Sequence, residues 1–103
     1  MAKFVNAGKV NDLAPGEMKI IEDGATRVLL ANVGGKLLAV SDLCPHADAP
    51  LCDGMLEGEE VECPWHGSRF NLKSGEVTQS PAEEGIATYE VKLDGEDVLV
   101  GPI

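Results

Sequence analysis

The sequence predicts an all-β chain built from many short antiparallel strands, with its loops gathered at one end. Three observations carry that prediction. β-type segments alternate with Asp-Gly and Gly-Gly pairs, no segment keeps a helical period over two turns, and the strand pattern breaks off between Ser41 and Gly54 in a run of loop residues. Asp-Gly and Gly-Gly matter because they accept the positive φ that tight hairpin turns demand.

Taken in order, residues 3–5 and Val10 offer one or two short strands, and Ala14-Pro15-Gly16 is turn chemistry. Residues 17–22, 25–33 and 36–41 read as three strands joined at Asp23-Gly24 and Gly34-Gly35, an antiparallel meander. Asp42, Pro45, Asp48, Pro50 and Asp53 then mark a loop. Residues 55–57 and 60–63 form a short hairpin across Gly58-Glu59, and residues 69–72 and 76–78 form another that turns at 73–75. Residues 80–85 are a third loop. The last pair, 88–93 and 97–100, alternates cleanly and turns on Asp94-Gly95.

The 103 residues, 1–103, make one domain, and with aromatics at 4% its core must come from Val, Leu, Ile and Ala. A core of that size gains from an internal cross-link. Eighteen acidic against eight basic residues give a net charge of -10, which excludes nucleic acid and anionic membrane as partners. A basic protein is the counterpart left, unless the acidity serves only to keep the chain soluble and monomeric. The start has no apolar run of signal-peptide length, and the longest apolar stretches, 28–31 and 37–40, are too short to span a bilayer. A soluble, cytoplasmic monomer is expected. An odd number of cysteines, three, then fits metal ligation better than a disulfide framework.

Both histidines and two of the cysteines fall in one pattern, Cys44-Pro45-His46, sixteen residues, then Cys63-Pro64-Trp65-His66-Gly67-Ser68. Two loops each offer one thiolate and one imidazole. Together they supply four ligands, the number a zinc ion or a two-iron cluster needs. A zinc finger usually pairs Cys with Cys and His with His, the latter on a helix, whereas this chain mixes the types on hairpin loops. Cys52, in the first loop, reads as a small buried apolar residue rather than a spare ligand.

Cys44-x-His46-x16-Cys63-x2-His66, followed by Gly67-Ser68, resembles the Rieske iron-sulfur motif, and with the surrounding hairpins the resemblance covers nearly the whole chain. It implies a Rieske-like stack of small antiparallel sheets with a cluster-binding subdomain of two ligand loops, at about residues 42–82. It also implies one [2Fe-2S] cluster per chain, with Cys44 and Cys63 on one iron and His46 and His66 on the other. The residue types suit that division. Thiolates favour a permanently ferric ion, while neutral imidazoles donate less charge and leave the second iron easier to reduce, at roughly -150 to +300 mV. By the same resemblance the Ser68 hydroxyl bonds a bridging sulfide, Trp65 shields the cluster or packs on a partner, and Pro81 belongs to a third loop covering it. Phe70 stands where high-potential members carry a sulfur-bonding tyrosine, and Ala49 and Trp65 stand where they carry a disulfide. The expected potential is therefore in the lower half of the range.

Both histidines are committed to the cluster, and no Gly-rich phosphate loop or metal-free Ser-His or Cys-His pair appears. The chain is expected to be an electron carrier, not an enzyme. It resembles the ferredoxin component of ring-hydroxylating dioxygenases, which implies a flavin-dependent reductase as donor and a terminal oxygenase as acceptor, docking over the two imidazole edges. Asp42, Asp48, Asp53, Glu57, Glu59, Glu60 and Glu62 are candidates for an acidic docking face, or else an ordinary solvated surface. The alternatives are the small subunit of an NADH-dependent nitrite reductase, which shares the implied fold, and a structural zinc-binding β-domain.

Overall fold

A computed structural model describes residues 3–24, 26–43, 50–64, 67–79 and 85–102. Ten strands run β1 Val5–Lys9, β2 Met18–Asp23, β3 Thr26–Val33, β4 Lys36–Ser41, β5 Met55–Glu57, β6 Glu60–Glu62, β7 Arg69–Asn71, β8 Val77–Gln79, β9 Thr88–Asp94 and β10 Asp97–Gly101. Helical structure among the described residues is confined to two 3-10 turns, Val10–Asp12 and Leu51–Asp53. The all-β expectation holds, and every strand pairing is antiparallel.

Six strands form one sheet in the order β1-β10-β9-β4-β3-β2, and four form a second, β5-β6-β7-β8. β4 and β9 are neighbours through Ala39–Tyr89 and Val40–Thr88. The smaller sheet is thus an insertion between two adjacent strands of the larger one. The larger sheet also brings its outer strands together, because Lys19 Nζ on β2 donates to the Ala7 carbonyl on β1 at 2.6 Å. That contact occupies edge groups otherwise open to another chain.

The core has two parts, and β3 serves both. Its residues alternate across the sheet, so Val28 and Leu30 pack with Ala7, Leu13, Ile21, Ala39, Val98 and Val100 on one face. Leu29 and Ala31 pack on the other with Val40, Leu51, Val61, Cys63, Phe70 and Leu72. β3 therefore reads as a continuous apolar run instead of an alternating one. The smaller sheet rests on the larger through this second cluster. Its inner face carries Val61 and Phe70, both fully buried, while Arg69 and the Glu60 and Glu62 carboxylates lie on the outer face. Phe70 is the one aromatic among the largest fully buried side chains, so the core is aliphatic as composition requires.

Two local expectations need correction. β1 runs through Asn6-Ala7-Gly8 to Lys9 and not from residue 3 to 5, while Val10 opens a 3-10 turn. Asn-Ala-Gly is poor strand sequence, but pairing with β10 and a bulge between Asn6 and Lys9 override propensity. The Asp-Gly signals mark turns one residue early. Asp94 pairs with Asp97, so Asp94 ends its strand and Gly95, at φ 63°, begins the turn. The Gly58-Glu59 turn falls where expected, with Glu57 paired to Glu60 and Gly58, at φ 59°, first in the turn. In both of these turns the first residue has positive φ and glycine occupies it.

Candidate metal centre

The first ligand loop leaves β4 and returns through a narrow neck. Leu43 and Pro50 form an isolated antiparallel bridge, and the Leu51 N–H donates to the Asp42 carbonyl at 2.6 Å. Leu51 is fully buried in the core, and the Gly54 N–H donates to its carbonyl at 2.9 Å, closing the 3-10 turn. Cys44, His46 and Ala49 fall between Leu43 and Pro50, in residues 44–49, outside the described residues.

The second neck is tighter. β6 delivers Cys63, whose N–H donates to the Ser68 carbonyl at 2.7 Å, while the Gly67 N–H donates to the Cys63 carbonyl at 3.2 Å. Gly67 has φ 74°, a conformation that favours glycine, and its carbonyl accepts from Gln79 Nε2 at 3.0 Å. Pro64 contributes no amide donor. Cys63 is 1% exposed and Ser68 fully buried, so the motif's second half has one sulfur and one hydroxyl sunk at its base. Trp65 and His66 lie outside the described residues, as do Ser80 to Glu84 with Pro81.

Gly54 brings the two necks side by side. A β-carbon there would sit 1.8 Å from the Glu62 carbonyl oxygen, immediately before Cys63, so the exit of the first neck lies directly against the start of the second. The third loop is anchored to the β7–β8 turn in the same way. A β-carbon on Gly85 would meet the Gly75 carbonyl at 2.5 Å, and the Ile86 N–H donates to that carbonyl at 2.8 Å.

Asp42 departs from its expected role. It is fully buried and held by Arg27, with Nε at 3.1 Å and Nη2 at 3.0 Å from Oδ2, while Oδ1 accepts the Cys52 N–H at 2.9 Å. A desolvated carboxylate with both oxygens occupied is internal structure, not docking surface. The Asp42 hydrogen bond in turn raises the Arg27 pKa. Glu57, Glu60 and Glu62 surround Arg69 at 3.0, 3.8 and 3.0 Å, and Glu59 pairs with Lys73 at 3.2 Å. The Glu62 hydrogen bond is the main cause of the raised Arg69 pKa. Asp53 is exposed, and Asp48 lies outside the described residues.

Cys52 packs against the core cluster with Sγ 3.9 Å from both Asp42 Oδ2 and Asp53 Oδ1. Burial first, then the Asp42 charge, pushes its thiol pKa up. A thiol kept protonated is a poor ligand and a poor nucleophile, which supports the packing role. The residues that sequence reasoning passed over are Arg27, Gln79 and Gly54. An arginine inside an apolar strand and a glycine just before one are weak signals, and Gln79 has none.

The donor set fits an iron-sulfur cluster. Cys63 presents a thiol in an apolar setting, beside a tight backbone loop, with a neighbouring neck whose sequence carries Cys44-x-His46. The Rieske [2Fe-2S] domain family matches residues 3–90. The ferredoxin component of biphenyl 2,3-dioxygenase from Rhodococcus jostii (strain RHA1) is 46% identical over 97% of this chain and 91% of that one. Among solved structures, the ferredoxin of carbazole 1,9a-dioxygenase from Nocardioides aromaticivorans IC177 superposes with a TM-score of 0.92 at 32% identity, covering 99% of this chain and 100% of that chain. A chain from the complex of reduced oxygenase and oxidized ferredoxin in carbazole 1,9a-dioxygenase gives 0.93 at 30% identity, covering 96% and 93%.

Fold and donor chemistry together define an iron-sulfur protein of small antiparallel sheets. The chain belongs to the Rieske [2Fe-2S] domain family. Its cofactor is a Rieske-type [2Fe-2S] cluster, which removes the zinc alternative, and its work is electron carriage, not catalysis.

Proposed function

We propose that this chain is the ferredoxin of a multicomponent oxygenase system, carrying one electron at a time from a flavin-dependent reductase to a terminal oxygenase. The observation that carries this reading is its likeness, end to end, to the ferredoxin component of biphenyl 2,3-dioxygenase. A ferredoxin found in complex with its oxygenase in carbazole 1,9a-dioxygenase supports the same partner class. Residues 1–103 act as one Rieske domain, with residues 42–82 as its cluster-binding part.

In this reading Cys44 and Cys63 hold one iron, and His46 and His66 hold the other. When bound, the cluster accepts and releases a single electron at a potential set by its ligands and their hydrogen bonds. The chain's own residues do the rest. The buried Cys63 would keep water from its sulfur, the Ser68 hydroxyl would serve as a donor to the cluster, Trp65 would shield it or pack on a partner, and Pro81 would belong to its cover. As neutral imidazoles, His46 and His66 would make the iron they hold the easier one to reduce, and a partner would dock on that side. Cytoplasmic residence belongs to the same proposal, since thiols stay reduced there for cluster assembly. No helix among the described residues is long and apolar enough to cross a membrane.

The test is an iron, acid-labile sulfide and zinc assay on anaerobically purified protein, with visible spectra before and after dithionite, followed by reduction of a Rieske oxygenase. About two irons and two sulfides per chain are expected, with reversible bleaching, and loss of both in Cys44→Ser and His66→Ala. Full cluster content in those variants would overturn the ligand set. A loaded protein that does not speed oxygenase reduction would overturn the partner assignment.

A further inference from the structure

Asp42 joins three parts of the chain at the root of the first ligand loop. Its N–H donates to the Arg27 carbonyl at 3.1 Å, and its carbonyl accepts the Leu51 N–H at 2.6 Å. Its side chain holds the far side of the same neck. Oδ1 accepts the Cys52 N–H at 2.9 Å, and Oδ2 accepts Arg27 Nε and Nη2 at 3.1 and 3.0 Å. Arg27 also reaches Glu22 on β2 at 3.2 Å, so the neck is tied into the meander and not only to itself. The Asp42 side chain is fully buried, with no solvent to replace a lost partner.

This arrangement differs from the second neck, which is closed chiefly by backbone bonds and a glycine turn. In the first, the Leu51–Asp42 backbone bond and the Leu43–Pro50 bridge are supplemented by a buried carboxylate, which ties the returning segment at Cys52 to Arg27 on β3. Cys44 is two residues beyond Asp42. A shift of Asp42 would move the first loop relative to the Glu62 carbonyl against which Gly54 is pressed, and so relative to Cys63.

We infer that Asp42, clamped by Arg27, is the positioning residue of the first ligand loop, fixing the height at which that loop presents its ligands to the second. The inference rests on the ligand assignment proposed above. Asparagine at 42 keeps the shape and one acceptor for the Cys52 N–H, but turns an amide donor toward the guanidinium donors. Pairing Asp42→Asn with Arg27→Gln restores a matched donor and acceptor without either charge.

The test uses cluster-loaded protein and three readouts: cluster half-life under an iron chelator, the electron paramagnetic resonance line shape of the reduced state, and urea unfolding. Asp42→Asn should lose its cluster about tenfold or more faster than the parent, the loss typical when a ligand's supporting partner is removed, and should broaden the resonance. The Asp42→Asn/Arg27→Gln pair should recover the parent line shape and most of the half-life. Val98→Ala, buried in the core part remote from Cys63, serves as a stability control. If Val98→Ala shortens cluster life as much for the same loss of unfolding stability, or if Asp42→Asn leaves the line shape unchanged, Asp42 is structural only and the proposal falls. Cluster retained in Cys44→Ser would instead overturn the ligand set, a result the Asp42 variants cannot mimic.

Discussion

A β-carbon on Gly54 would overlap the Glu62 carbonyl oxygen at 1.8 Å, and both atoms are fixed, one by a 3-10 turn and one by the β5–β6 ladder. No side-chain rotation can relieve that contact. Gly54→Ala must therefore push the two necks apart, at a cost of about 2–3 kcal/mol or more, as for overpacking against an unyielding neighbour. Urea unfolding of the loaded protein should show a lower midpoint with an unchanged slope; an unaltered midpoint would mean that the necks are free to separate. Gly24, with open space around its β-carbon position, is the contrasting case. Its φ of 62° favours glycine for backbone reasons alone. The two glycines look alike in the sequence and are required for different reasons. Asp42 and Asp53 show the same ambiguity among carboxylates, since one is fully buried and the other exposed, within one loop of uniform composition.

Strand pairing between β1 and β10 is supplemented by an ion pair that acid should remove. Lys9 on β1 donates to Asp97 Oδ1 at 2.5 Å, beside the bulge that interrupts the β1–β10 ladder. That hydrogen bond, then the lysine charge, lowers the Asp97 pKa. A carboxylate with a depressed folded-state pKa stabilises the fold above its unfolded pKa and loses that contribution as pH falls through the folded value. Parent protein should therefore exceed Asp97→Asn in stability by a constant margin above about pH 5, with the margin vanishing below the ordinary aspartate range near about 4. Thermal unfolding of the two proteins across that range is the measurement, and a margin independent of pH would assign the effect to packing. β1 was also the element least legible in the sequence, because Asn-Ala-Gly carries no strand signal and only β10 makes it a strand. The meander of β2, β3 and β4 was legible throughout, since β-branched and leucine-rich runs were punctuated by glycines. The ligand spacing was plain for the same local reason. The clamp beneath it was not, because Arg27 and Asp42 meet only when β3 and the end of β4 align.

At the scale of the whole molecule, the net charge of -10 is unevenly available to a partner. Glu57, Glu60 and Glu62 share the single charge of Arg69, whereas Glu59 is matched one to one by Lys73, so on the outer face of the smaller sheet Glu59 is the compensated carboxylate. Asp53 is exposed at the end of the first neck, and among the described residues it has no ion-pair partner. Long-range attraction of a basic partner arises from the total field, but the orientation of docking is set by uncompensated charges at the contact. Asp53→Lys should therefore slow reduction of the oxygenase severalfold at low ionic strength, with the difference closing as salt approaches about 1 M, where screening reaches only about 3 Å. Glu59→Lys changes net charge equally but replaces a carboxylate already paired with Lys73, so it should produce the smaller effect. Stopped-flow rates for the two variants over a salt series decide the matter. Equal slowing by both would mean that only net charge counts, and no slowing by either would remove an acidic docking face near the ligand loops.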